Sequence, residues 1–294
     1  MTTAGEPHRG ADSGAPARDD GLVRRAGSVP GLTWSLARRA PDPRLGGLVA
    51  AIYGYTEQSA GPVLRRQLPF GGNPVILGLG PPIDVDGAPQ RSFVAGLADR
   101  ATFTRFSGAQ RGVEIRLTPQ GVHTLFGVPP GEFANAVVTP PWLAALADRV
   151  AECGWAEALD LVEATLLRRA GDGPTPDTAV TWAWNALRRS GGRTPVAALA
   201  NEIGWSHRHF AARFRAGIGL APKTAARVVR LERAAGRLSR GESAAVVAAA
   251  TGYVDQSHLT REFRALGGCT PGRFLAERDA EQVSFVQDGQ AAAA

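Results

Sequence analysis

The apolar positions change rhythm once along the chain. From about residue 31 to 138 they fall in short runs divided by turn residues: Leu48–Tyr55, Val63–Leu68, Val75–Leu79, Ser92–Gly96, Ala101–Phe106 and Val113–Leu117. Runs of that length between Gly- and Pro-rich breaks predict strands. In the last of them Val113, Ile115 and Leu117 alternate onto one face. A short helix is expected over Gly121–Phe126, after which Pro129, Pro130, Pro140 and Pro141 interrupt the pattern. From Trp142 the spacing becomes that of helices, over Trp142–Cys153, Ala156–Arg169 and, after a Gly171–Pro174 linker, Asp177–Arg189. Trp182 and Trp184 stand two apart, so at most one of them serves a single packed helix face. Residues 1–28 and 282–294 show no periodicity. They are rich in residues that bury little and are expected to stay disordered, because their apolar surface cannot offset the entropy of ordering them. The expected fold class is α+β: a β-rich domain over 29–140, a helical bridge over 141–176 and an all-α domain over 177–281.

The last hundred residues repeat. Ala200 is followed by Gly204, Trp205, Phe210, Phe214, Gly219 and Pro222; Ala248 is followed by Gly252, Tyr253, Leu259, Phe263, Gly268 and Pro271. The offset is 48 residues before the turn and 49 after it, so one residue is added within Val254–Ser257. Each unit has the chemistry of helix-turn-helix. A small alanine lets the first helix approach closely, a glycine ends it where a positive φ is wanted, and Ser206 or Asp255 can cap the helix that follows. In that second helix Phe210 with Phe214, and Leu259 with Phe263, are i, i+4 pairs that anchor one face and leave the other free. Between the units Pro222–Leu238 contains no breaker and should form one helix, about 25 Å long at ~1.5 Å per residue. A rod of that size can set two recognition helices about one DNA turn apart, roughly 34 Å. This geometry predicts two helix-turn-helix units joined by a linker helix in a seven-helix domain starting near Asp177.

Residues from about 177 to 278 resemble the DNA-binding domain of the AraC/XylS family of bacterial transcription regulators. Thr251–Phe274 carries the resemblance in the second unit and Ala198–Phe214 in the first. Residues 30–140 resemble more weakly a poorly characterised β-rich domain that precedes this module in some relatives, through Phe93–Arg100 and Leu117–Pro129. The resemblance implies that the exposed face of each recognition helix meets bases. In the second unit these positions are Gln256, Ser257, Thr260 and Arg261, suited to adenine, guanine and a thymine methyl. In the first they are His207, Arg208, Ala211 and Ala212, beside the cap Ser206. The family usually has arginine where Ala212 stands, so Arg208 and His207 must supply most polar readout there. The second unit is therefore expected to discriminate more strongly. Arg213, Arg215 and Arg264 are candidate phosphate contacts, whereas Arg227, Arg230 and Arg233 on the linker helix are expected to be structural or solvent-facing. Double-stranded DNA is the implied partner, with RNA polymerase for an activator, a small-molecule effector and a second copy of the chain as further partners the resemblance suggests.

Charge sharpens this picture. The chain of 294 residues carries a formal net charge of +6. Residues 191–280 hold 14 basic and 7 acidic side chains, a net +7, so the remainder is slightly negative. No apolar run approaches the ~18 residues that span a bilayer, and no secretory leader is recognisable, so a cytoplasmic location without membrane contact is expected. Three other readings compete with that of a regulator. A metal-dependent enzyme needs about three His or carboxylate ligands, yet of five histidines only His123 falls in the β-rich region. The spacing of His207 and His209 puts their rings on different sides of a helix, so no metal or cofactor is expected. A DNA-repair methyl acceptor would need an activated cysteine, and neither Cys153 nor Cys269 has neighbouring cysteine ligands. An architectural DNA-binding protein has no need of a Gln256–Arg261 reading face. Tyr53, Tyr55, Arg65, Arg66 and His123 are candidates to line an effector pocket, although core packing and solvated arginines explain them as well.

Overall fold

Two long neighbouring strands organise the amino-terminal half. In a computed structural model, which describes residues 21–281, strands β1 (Val23–Val29), β2 (Leu32–Arg39), β3 (Val49–Gln67), β4 (Asn73–Gly78), β5 (Ile83–Val85), β6 (Ala88–Gln90), β7 (Ser92–Ala95), β8 (Thr102–Leu117) and β9 (Val137–Val138) form one antiparallel sheet. The order is β1-β2-β3-β8-β4-β7-β9, with the β5–β6 hairpin attached to β8. Alternation sorts the side chains. Ile52, Val75, Leu77, Val113 and Ile115 face one way, into a core closed by α1 (Pro119–Phe126), α2 (Pro141–Val150) and α3 (Trp155–Asp172) through Leu125, Leu146, Leu159 and Val162. Gly54 lies on the same face because the Trp155 ring sits where its Cβ would be, 2.3 Å away. The opposite face carries polar groups: Tyr53, Glu57, Glu114 and Arg116, all buried.

Several boundaries differ from the sequence pattern. β3 and β8 each join two expected runs into one strand, since the break at Ser59–Val63 is absorbed as a register shift, with the Gly108 N–H donating to the Ser59 hydroxyl at 3.0 Å. The expected disordered tail over 1–28 is corrected at its end, because β1 begins at Val23 and pairs with β2 from Val23↔Arg38 to Val29↔Leu32. That ladder is made by backbone groups, so a strand with exposed side chains can form on the sheet edge without an apolar pattern. Trp34 lies against Gly27, and Val29 packs with Leu32 and Phe106. The hairpin β5–β6, also unforeseen, turns on Asp86 and Gly87, both at positive φ. Residues 1–20 and 282–294 lie outside the described residues.

The carboxy-terminal part is helical: α4 (Thr178–Arg189), α5 (Val196–Ile203), α6 (His207–Ile218), α7 (Pro222–Ser239), α8 (Ala244–Thr251), α9 (Gln256–Gly267) and α10 (Pro271–Glu281). Trp184 is buried on α4 while Trp182 remains 39% exposed, in line with their spacing. One helix, α7, belongs to two cores. Its first half gives Ala225, Val228 and Val229 to a cluster with Trp184, Leu199, Phe210 and Phe214. Its second half gives Leu231, Ala235 and Leu238 to a cluster with Val247, Leu259, Phe263 and Phe274. Among the described residues no helix is long and apolar enough to cross a membrane.

The sheet and the helical part are packed together. Leu68, at the end of β3, is buried in the cluster of Phe263 and Phe274, and Leu97 in that of Trp184 and Phe214. Glu232 on α7 accepts from the Gly71 N–H at 2.9 Å and from Arg188 at 2.6 Å. Arg66 donates to Glu277 of α10 at 2.9 Å and to the Gly267 carbonyl at the end of α9 at 3.1 Å. Hydrogen bonding from Arg66, and then from Arg273, outweighs burial and holds the Glu277 carboxyl below its ordinary range.

Two expectations follow from this docking. Leu68→Ala removes a side chain shared by both parts and should cost about 2–5 kcal/mol in urea unfolding, against no change if the contact is peripheral. The Arg66–Glu277 contribution, being due to a depressed carboxyl, is complete above the ordinary glutamate value of 4.5 and lost as pH falls through the lower folded-state value. The stability gap between the wild type and R66Q should thus be constant from about pH 5 to 8 and narrow in more acid solution; a gap that widens on acidification would contradict the pairing.

Candidate nucleic-acid interface

The two repeats fold by the same local chemistry. The first helix of each, α5 or α8, ends at a glycine in the left-handed region, Gly204 with φ 75° and Gly252 with φ 80°. The next N–H then reaches back, Trp205 to the Ala200 carbonyl and Tyr253 to that of Ala248, both at 3.0 Å. Ser206 caps α6 by accepting from the His209 N–H at 3.3 Å, and Asp255 caps α9 by accepting from the His258 N–H at 2.6 Å. The aromatic residue after each glycine meets a histidine edge to face, Trp205 with His209 at 4.7 Å and Tyr253 with His258 at 5.2 Å between centroids. The added residue of the second turn separates the latter pair by five positions instead of four. The turn therefore bulges outward at Val254, which is 87% exposed.

The faces of α6 and α9 divide as their apolar spacing predicts. Phe210, Phe214 and Ile218 are buried on one side of α6, and Leu259, Phe263 and Leu266 on one side of α9. On the other side His207, Arg208, Ala211, Ala212, Gln256, Ser257 and Arg261 are exposed, with Thr260 half-buried. The Thr260 hydroxyl donates to the Gln256 carbonyl at 2.9 Å, so its methyl group is the part most available to a base edge. Among the described residues Arg208, Arg215, Arg261 and Arg264 form no ion pair and are exposed. Arg213 differs from them: it is paired at 2.6 Å with Asp177, the N-cap of α4, while still 55% exposed. Burial would raise the Asp177 carboxyl, but Arg213 and the N–H groups of Val180 and Ala179 more than reverse this and keep it below its ordinary value.

The linker arginines hold the second unit in place. Arg227 pairs with Glu262 of α9 through two nitrogens at 3.0 Å, and Arg230 donates to the Gly192 carbonyl at 2.9 Å while lying over the Tyr253 ring. A carboxylate on a helix meant for DNA would repel phosphate, and this pair neutralises it. The amino-terminal domain supports the first unit from behind. A 3-10 turn over Pro130–Phe133 lies against α6 so closely that a Cβ on Gly131 would come within 3.1 Å of the Arg215 carbonyl.

Of the pocket candidates, Tyr55, Arg65 and Arg66 meet at one cavity. Tyr53 instead accepts from Arg116 at 2.9 Å in the sheet face, and His123 sits on α1 beside the Val128 carbonyl at 3.3 Å. Both thiols are pushed up by burial, the reverse of what an attacking thiolate needs. Among the described residues no group of three metal-ligating side chains comes together. The pattern of the sequence did not point to Glu232, Glu262 or Glu277, whose partners on other elements are 35 to 211 residues away. In the folded chain Glu232 is marked out by its burial, which its bonds from Arg188 and the Gly71 N–H compensate.

This arrangement, two exposed helices backed by separate cores on a common rod, defines a DNA-binding protein with tandem helix-turn-helix units. Residues 199–277 match a family model described as a helix-turn-helix domain, and residues 37–139 one described as a domain of unknown function, DUF6597. The carboxy-terminal part is thus a helix-turn-helix domain by its sequence match as well as by its fold. No curated protein matches the sequence. Among solved structures, ToxT from Vibrio cholerae O395 is similar over 74% of this chain and 96% of its own, with 10% identity and a TM-score of 0.45. The AraC-like transcriptional activator CuxR is similar over 88% of this chain and 92% of its own, with 12% identity and a TM-score of 0.30.

Proposed function

We propose that this regulator binds its promoter sites by placing α6 and α9 in successive major grooves on one face of the duplex, with the amino-terminal domain acting as an effector sensor. The observation that carries this reading is that α7 is built into the cores behind both recognition helices, so the two exposed faces are presented by one rigid part. Gln256 and Arg261 supply directional hydrogen bonds for adenine and guanine, and Ser257 and Thr260 complete the second reading face. The first unit relies on His207 and Arg208, with Ala211 and Ala212 limited to apolar contact. Arg215 and Arg264 are assigned to phosphate. Arg213 joins them only if DNA displaces Asp177, and Ser206 acts as a cap whose backbone N–H groups sit at the helix start. As a regulator of initiation the chain would meet RNA polymerase when it activates, and the domain over 29–140 is the part we assign to sensing and to pairing with a second copy.

Selection of binding sites from random DNA tests the reading. Two half-sites about one helical turn apart are expected, with the sharper base preference under α9. R261A should lower affinity for the selected site by about 1–3 kcal/mol and relax preference at one position, whereas R264A should weaken all sequences alike and reduce the salt dependence. Enrichment of no sequence, or preference confined to the α6 half, would contradict the assignment.

A further inference from the structure

Two helices set in successive major grooves on one face of a duplex leave a minor groove between them. At the seam of the two units the structure has a fastened loop, residues 190–195, which joins α4 to α5. Gly192 takes φ 74° and lies so close to α7 that a Cβ on it would fall on the Ala226 carbonyl. Its own carbonyl accepts from Arg230 at 2.9 Å, and the Ser190 hydroxyl accepts from the Thr194 N–H at 3.2 Å. The first helix of a helix-turn-helix unit crosses the DNA backbone, so the loop that leads into α5 is on the side of the duplex.

Arg193 is the cation of this loop. It is exposed, forms no ion pair among the described residues, and donates through Nε to the Ser190 carbonyl at 3.0 Å. Its stem runs over Gly252, where an added Cβ would meet the arginine Cδ at 3.2 Å and Cγ at 3.3 Å. Gly252 ends α8 and leads into the turn before α9. An arginine of the first unit thus rests on the turn of the second, beside the end of α9 whose residues reach base edges. The fold common to the two units does not call for it: sliding the chain by 48 residues sets Gly241 opposite Arg193.

We propose that Arg193 enters the minor groove between the two half-sites, so that the protein reads the composition of a spacer that neither α6 nor α9 touches. The inference rests on the reading of those two helices as major-groove helices and adds a third point of contact to it. A·T-rich steps narrow the minor groove and strengthen its negative potential, which draws in a guanidinium, whereas the amino group of guanine projects into that groove. Arg193 is prepared for the insertion. With its stem laid on Gly252 and its loop tied to α7 by Arg230, little conformational freedom is left to lose on binding.

The test uses the full chain and the site selected from random DNA, with the spacer rebuilt at fixed length from A·T, G·C or inosine·cytosine pairs. Inosine lacks the guanine amino group, so its pair with cytosine presents the minor groove of A·T and the major groove of G·C. The wild type should bind the A·T and inosine forms alike, each at least ~5-fold more tightly than the G·C form, the scale of one base-pair contact. R193Q, which keeps most of the stem on Gly252, should bind the three forms equally, with its thermal unfolding and the base preferences under α6 and α9 unchanged. Should R193Q melt early, the three spacers compared on the wild type still decide. No spacer preference in the wild type, an inosine form that behaves as G·C, or a folded R193Q that weakens all three forms by one factor overturns the proposal. In each of these cases the selected half-sites leave the reading of α6 and α9 standing, whereas failure to select any half-site removes both.

Discussion

The structure depends on α7 being shared. An 18-residue helix is too short to be a flexible tether, and here each half of it is an indispensable wall of a different core. Val228 and Val229 serve the cluster behind α6, while Leu231 and Leu238 serve the one behind α9. Neither recognition helix can therefore tilt without opening a packed interior, and interiors of this density resist small adjustments. Arg227 and Arg230 add directional restraint where packing alone is isotropic, the former through Glu262 and the latter through Gly192 and the Tyr253 ring. The result is a reader whose two faces are set by burial and refined by hydrogen bonds.

A second constraint is imposed on this unit from outside. The sheet domain contributes Leu97 to one core and Leu68 to the other, and its Gly71 N–H is bound by Glu232 at the middle of α7. The contacts fall on both cores and on the rod between them. Any event that alters the sheet face near β3 therefore reaches the reading helices through a few bonds, with no need for a long internal path. The short distance from Arg66 to the end of α9 is the clearest instance.

How much of this was written in the sequence depends on the range of the interaction. The tandem turns were fully legible, because Gly204, Gly252, Ser206 and Asp255 act within a few residues and the i, i+4 apolar pairs name their own buried face. The alternation of Val113, Ile115 and Leu117 likewise gave the correct inward side of β8. The edge strand β1 was missed since a backbone ladder leaves little trace in side-chain pattern, and β3 was divided because a bulge resembles a turn when seen in one strand only. Of the reading positions, exposure could be inferred from their opposite neighbours; the engagement of Arg213 by Asp177 could not, since it joins residues 36 apart. The ion pairs between domains were beyond reach for the same reason. Nothing in the local neighbourhood of Glu277 distinguishes it from the other surface carboxylates of a helical tail.

Leu68 gives the contact between the domains a further meaning. A side chain from the sheet completes the interior behind α9, so the helical part taken alone would present an oily notch to water where that leucine belongs. Chain cleavage between the two parts would thus yield a sticky fragment rather than a free-standing helical domain. In a cell such a fragment is a target for proteases and chaperones, which ties the lifetime of the helical part to the integrity of the sheet domain.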